Sequence, residues 1–186
     1  MIRQSAFGTA LSMLVLAGGL TTTSLGHTST KNLLASQALL SPSSQVASTS
    51  LGLKPQAFKT TDLEKSVFDR INRYRISLGL KKLTLNANIS KQARIHSQNM
   101  ARGKVPFSHQ GFEKRVNAIP IRYTSAAENV AYNQGYSDPA AEAVNGWIKS
   151  PDHLINIKGN YNMTGIGVAT NSKGEVYLTQ IFIRNR

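Results

Sequence analysis

The chain has 186 residues, a formal net charge of +13 and no cysteine. Without cysteine, neither a disulfide framework nor a cysteine nucleophile is available, so a folded domain must be stabilised by its apolar core. The basic residues are scattered and no aromatic residues alternate with them, which argues against nucleic-acid binding and favours a solvated surface; an anionic cell-envelope surface stays open as a partner.

The N-terminal part differs from the rest because the first 60 residues contain no acidic residue. Arg3 is followed by an apolar stretch around Ala10–Leu20 and then by small polar residues, the layout of a secretory signal peptide. We predict a signal peptide over residues 1–26, cleaved after Gly26, and a flexible Ser/Thr-rich linker over residues 27–60. A bacterial lipid anchor needs a cysteine, so we expect an exported protein, extracellular or periplasmic, that is not a lipoprotein.

One domain is predicted over residues 61–186, which hold 18 Lys and Arg against 9 Asp and Glu. The sequence Thr61-Asp-Leu-Glu64 predicts a capping box at the start of a first helix, and Gly79 predicts its end. A second helix is predicted from about Ala87 to Ala101, with His96 on its apolar stripe. We interpret His96 as a half-buried structural histidine.

The second half of the domain begins with a loop that contains His109. Asp138-Pro139 predicts the N-cap and first turn of a third helix, and Ser150-Pro151 predicts the same for a short helix with His153 in its first turn. A β-hairpin is predicted where the apolar segments GIGVA and VYLTQIFI flank the polar turn TNSKGE. Helices together with an antiparallel hairpin predict an α+β or layered αβα domain.

Glu128 is the least ordinary acidic residue, because apolar residues flank the Glu128-Asn129 pair. Its carboxylate is expected in the interior, where it needs a partner. A histidine or a set of loop amides could provide that partner, and spacing does not decide between them. The sequence contains no glycine-rich phosphate loop, no HExxH and no GxSxG motif.

Five ordered segments of the domain resemble one known family: FSHQGF, AENVAYNQ, NGWIKSPDHLINI, GIGVA and YLTQIF. The family is the CAP superfamily of cysteine-rich secretory proteins, antigen 5 and pathogenesis-related proteins, also called the SCP domain. The resemblance spans about Leu63–Ile183 and is strongest to the bacterial, cysteine-free branch. It implies a three-layer αβα sandwich with a central antiparallel sheet, and a cavity where two His and two Glu can bind a divalent cation.

The resemblance assigns only part of that cavity set to this chain. His109 matches the first histidine of the family and Glu128 the first glutamate. Ser150 stands where animal and plant members have the second glutamate, and a Tyr-Leu pair stands where they have the second histidine. His153 matches the bacterial pattern and would supply the second imidazole, while Asp152 or Ser150 would replace the fourth group.

Three functions remain open for the expected cavity residues, which are His109, Glu128, Asn129, Ser150, Asp152 and His153. A binding module would hold a divalent cation such as zinc on His109, Glu128 and His153, or a small or lipid-like ligand in the cleft. A protease or esterase would use Ser108 or Ser150 as nucleophile, a histidine as base and Glu128 as its orienter, although no oxyanion hole is recognisable. In the third function, the polar residues form a purely structural clasp in an interaction domain and bind no ligand. We rank the binding module first, the clasp second and the enzyme third, and expect a monomer.

Overall fold

The computed structural model describes residues 58–186, so the predicted signal peptide and nearly all of the predicted linker lie outside the described residues. The helices of the described part are α1 (Thr60–Ser77), α2 (Ala87–Ala101), α3 (Phe112–Asn117), α4 (Pro139–Lys149) and α5 (Pro151–Lys158). Its strands are β1 (Thr84–Leu85), β2 (Tyr123–Gln134), β3 (Met163–Thr170) and β4 (Glu175–Asn185). None of these helices has the length and apolar character needed to cross a membrane.

The strands form one sheet in the order β1-β3-β4-β2. Strand β4 pairs antiparallel with both β3 and β2, and the hairpin predicted from the sequence is confirmed as β3 and β4. The two-residue β1 runs parallel to β3, so the expected antiparallel sheet is antiparallel except at this short edge. Strand β2 forms the opposite edge, and its position there makes it accessible to the helices and loops beside it.

Helices cover both faces of the sheet and give three layers, which confirms the predicted α+β sandwich. On one face, α1, α4 and α5 pack around Phe182. On the other face, α2 and α3 pack around Ile181. Glu128 is paired with Ile181 in the register of β2 and β4, and successive side chains of a strand alternate between faces. Glu128 therefore lies on the α2/α3 face, and its neighbour Asn129 lies on the α5 face.

Helix α2 lies directly against β3 because two glycines of the GIGVA segment face it. A Cβ atom added to Gly167 would lie 2.5 Å from Arg94 Cα and still closer to the backbone of Ala93, and Gly165 has the same relation to the first turn of α2. The Ser97 hydroxyl donates to the Gly167 carbonyl oxygen at 2.9 Å. This close packing fixes the position of α2 and of the loop that follows it.

The start of α1 differs from the prediction, whereas its end agrees with it. The helix begins at Thr60, and Glu64 does not complete a capping box. The Glu64 carboxylate instead accepts hydrogen bonds from Arg94 at 2.8 and 2.6 Å and from the Val168 amide at 3.2 Å. These tertiary partners compete successfully with the local cap. Gly79, with φ of 73°, ends the helix as predicted.

Candidate functional site

The candidate site lies where strand β2, the loop before α3 and the first turn of α5 come together. His109 belongs to the loop, and Gly111, with φ of 78°, makes the turn into α3. His96 of α2 supports the loop, because its Nε2–H donates to the Ser108 carbonyl oxygen at 2.8 Å. Burial, followed by the charge of Arg115, lowers the pKa of His96. His96 is therefore a neutral structural residue, as interpreted from the sequence, but at 2% exposed it is fully buried rather than half-buried.

Glu128 is the centre of a buried charged cluster. Its side chain is only 1% exposed. Arg115 of α3 donates from Nε to Glu128 Oε2 at 3.0 Å and from Nη2 to Oε1 at 2.7 Å. His109 Nδ1 lies 2.9 Å from the same Oε1. The sequence left a histidine or a set of loop amides as partners of this carboxylate. In the structure the partner is the histidine, together with the guanidinium of Arg115.

Arg115 is a residue of the candidate site that the sequence did not reveal. In the sequence it stands beside Lys114 and resembles any other surface charge. In the structure its Nη1 donates to the Gln110 carbonyl at 2.7 Å, and its Nη2 also lies 3.5 Å from the His109 carbonyl. The guanidinium thus ties the His109 loop to strand β2. The one hint in the sequence is that Arg115 directly precedes the apolar Val116 in a short helix.

The cluster determines which nitrogen of His109 is available. A carboxylate paired with Arg115 acts as an acceptor only, so His109 Nδ1 must donate to it. In a neutral imidazole the other nitrogen, Nε2, is then an acceptor. The His109 side chain is 23% exposed, and its Nε2 makes no hydrogen bond to any residue in the range 58–186. The neutral form of His109 therefore has an acceptor nitrogen without a hydrogen-bond partner in the described part of the chain.

His153 forms a second polar pair with Ser150. Its Nδ1 lies 2.8 Å from Ser150 Oγ. Ser150 occupies the predicted N-cap position and its carbonyl accepts from the Leu154 amide at 2.8 Å, but its hydroxyl bonds to His153 and makes no cap. Burial, then the nearby charge of His109, lowers the pKa of His153, and Asp152 opposes this weakly. His153 is therefore neutral at pH 7 and near enough to His109 to sense its charge.

Asn129 joins the two halves of the site. Its Nδ2 donates to the His153 carbonyl at 3.2 Å, and its Oδ1 accepts from Asn156 Nδ2 at 2.9 Å. Asn129 is completely buried, so these bonds hold α5 firmly against β2. Asn156 was not anticipated as a site residue. Asp152 is exposed, and within the described part of the chain its side chain enters no hydrogen bond or ion pair.

The residues do not fit the three-ligand cation site considered from the sequence. Within residues 58–186, no group of three or more His, Asp and Glu side chains is placed to hold a metal ion. Zinc sites in proteins use at least three protein ligands. Both oxygens of Glu128 already accept hydrogen bonds, and Arg115 neutralises its charge. The site instead contains two imidazoles, one hydroxyl and a buried ion pair.

A model of the CAP family, described as the cysteine-rich secretory protein family, matches residues 68–182. The protein YkwD of Bacillus subtilis (strain 168) is 37% identical over 126 residues, which cover 64% of this chain and 46% of that protein. This chain therefore spans less than half the length of that relative.

Two solved structures share the fold. An extracellular protein containing an SCP domain from Bacillus anthracis str. Ames is 27% identical, with a TM-score of 0.56 over 68% of this chain and 41% of that chain. An outer surface protein from Borrelia burgdorferi has a TM-score of 0.61 over 69% of this chain and 97% of that chain. Its 16% identity indicates likeness of fold alone.

Proposed function

Since this chain belongs to the cysteine-rich secretory protein (CAP) family, we propose that it is an exported CAP-domain protein that binds a small polar ligand in its cleft. Support for export comes from the charge and apolar pattern of residues 1–26 and from the extracellular description of the Bacillus anthracis relative. Support for binding comes from one observation. The 2.9 Å contact of His109 Nδ1 with Glu128 Oε1 leaves Nε2 of the neutral imidazole as an acceptor without a hydrogen-bond partner among residues 58–186.

The chemistry of the cleft favours a ligand that donates hydrogen bonds. In the neutral imidazole, His109 Nε2 accepts a hydrogen bond from a donor such as a hydroxyl or an amine, and the Ser150 hydroxyl can accept or donate a hydrogen bond. Phe107, two residues before His109, packs edge-on against Tyr132 with ring centroids 6.4 Å apart. An aromatic surface thus adjoins the polar groups. A molecule with hydroxyl or amine groups and an apolar part fits this combination.

The proposal is tested with a panel of sugars, alkyl amines and monoacylglycerols, each paired with an analogue whose donor groups are methylated. Binding to the full chain and to each variant is followed by isothermal titration calorimetry. The expected result is that methylation and His109→Gln both abolish binding. Gln110→Ala is the matched control, because its side chain is exposed in the same loop, and it should bind normally. Binding that is equal in wild type and His109→Gln would reject this site.

A hydrolase is a second candidate because Ser150 Oγ lies 2.8 Å from His153 Nδ1, the contact expected of a nucleophile and its base. The carboxylate that would complete a catalytic triad is misplaced, because Glu128 contacts His109 instead. No carboxylate of residues 58–186 hydrogen-bonds to His153. Hydrolysis of p-nitrophenyl esters by wild type and Ser150→Ala distinguishes the two functions. Ester hydrolysis that requires Ser150 would establish the hydrolase function. Equal background rates for wild type and Ser150→Ala would reject it.

A further inference from the structure

Gln180 is a fully buried polar residue of the inner strand β4. We propose that its side-chain oxygen, together with the side-chain amide of Asn129, holds one buried water molecule between β4 and β2. The inference goes beyond the proposed function, because it concerns the interior of the domain and does not depend on a ligand in the cleft.

Gln180 lies on the same face of the sheet as Asn129. In the strand register it is paired with Asn129 of β2 on one side and with Ile166 of β3 on the other. Ile166 belongs to the same apolar cluster as Phe182, on the face covered by α1, α4 and α5. Side chains directly opposite each other on neighbouring strands have Cβ atoms about 4.5–5.5 Å apart. The two amide side chains are therefore neighbours, and both residues are 0% exposed.

The orientation of the Gln180 amide follows from its contact with Thr164. The Thr164 hydroxyl donates its single hydrogen to the Ile181 carbonyl oxygen at 2.9 Å. The hydroxyl can therefore only accept from Gln180, so the Gln180 atom 3.1 Å away is the nitrogen Nε2. The oxygen Oε1 is then the other end of the amide, and it has no hydrogen-bond partner among residues 58–186. A buried acceptor without a donor is destabilising, so a donor from outside this part of the chain is expected.

Asn129 provides the other half of the water site. Its Nδ2 has two hydrogens and makes one hydrogen bond within residues 58–186, to the His153 carbonyl at 3.2 Å. No direct hydrogen bond joins it to Gln180 Oε1. A water molecule that accepts from Asn129 Nδ2 and donates to Gln180 Oε1 satisfies both groups. A metal cation does not suit the same place, because the amide hydrogens of Asn129 would repel it.

The water extends the polar contacts that hold α5. Asn129 already binds α5 through the His153 carbonyl and the Asn156 side chain. The water joins Asn129 in turn to the inner strand of the sheet. Because both of its partners are completely buried, the water can leave only when the structure opens locally, and it should stay bound far longer than surface water.

The first test is a high-resolution crystal structure of the full chain. One ordered water is expected within hydrogen-bonding distance of both Gln180 Oε1 and Asn129 Nδ2. A direct hydrogen bond between the two amides, or well-ordered amides with no water between them, would overturn the proposal.

The second test counts long-lived waters in solution by magnetic relaxation dispersion of water ¹⁷O. Gln180→Met keeps the length of the side chain but removes both polar atoms, and it is expected to hold one long-lived water fewer than wild type. Gln98→Met is the matched control, because Gln98 is exposed on α2, and it should hold as many as wild type. Equal counts for Gln180→Met and wild type would overturn the proposal. Should Gln180→Met fail to fold, the crystal structure of the wild type decides alone.

Discussion

The Glu128→Gln substitution tests the buried cluster directly. Glutamine preserves the size of the side chain, but its NH₂ group would face the donors of Arg115 and leave the guanidinium without its counter-charge. The two side chains are 1% and 10% exposed, so the charge would stay buried. Breaking a buried ion pair in this way costs about 3–5 kcal/mol. For a domain of this size, we expect the melting temperature to fall by roughly 10–20 °C.

The measurement is thermal unfolding of the full chain at neutral pH, followed by circular dichroism. Glu142→Gln is the matched control, because Glu142 lies in the first turn of α4 and interacts mainly with the helix dipole. That change is expected to cost about 1 kcal/mol or less. If Glu128→Gln melts at the same temperature as Glu142→Gln, the ion pair does not have the structural role inferred here.

Three further predictions concern stability measured by urea unfolding. Gly167→Ala forces α2 away from β3 and should lower the free energy of unfolding by about 1–3 kcal/mol or more. Gly146→Ala is the control, because its added Cβ meets no atom within 4 Å, and it should not destabilise the protein. Equal urea midpoints for the two variants would contradict the packing argument. Arg75 is buried and donates hydrogen bonds to four backbone carbonyls. Arg75→Met should therefore lower the free energy of unfolding by about 3 kcal/mol or more. An unchanged urea midpoint would show that these bonds contribute little. Burial lowers the pKa of both His96 and His153, so the unfolded chain binds protons more readily. Stability should therefore be fully present above about pH 6.5 and fall as the pH drops below it, with a weaker dependence in His96→Gln; a flat profile would refute this.

Local signals predicted much of the fold. The bounds of α2 were predicted correctly because its apolar stripe and the following Gly103 are both visible in the sequence. Asp138-Pro139 marked the start of α4, and the Asp138 side chain does accept from the Ala141 amide at 2.9 Å. Such signals act within a few residues, so a single sequence contains them.

Contacts between distant segments could not be predicted in this way. Glu64 forms no local cap and instead accepts a hydrogen bond from Arg94, a residue 30 positions away. Arg115 resembled a surface charge because nothing in its neighbourhood reveals that α3 will lie over Glu128. The family resemblance implied His109, Glu128 and His153 as cavity residues, and the structure pairs the first two at 2.9 Å. The resemblance did not reveal that a guanidinium would share the Glu128 carboxylate.

The central claim is that Glu128 holds His109 with Nδ1 protonated and with Nε2 open to a ligand. Long-range ¹H–¹⁵N NMR spectra of the histidine side chains distinguish the two neutral tautomers. At about pH 8, where an ordinary histidine is neutral, His109 is expected to be the Nδ1–H tautomer. A predominant Nε2–H tautomer, with Nδ1 unprotonated next to the Glu128 carboxylate, would contradict the proposed site.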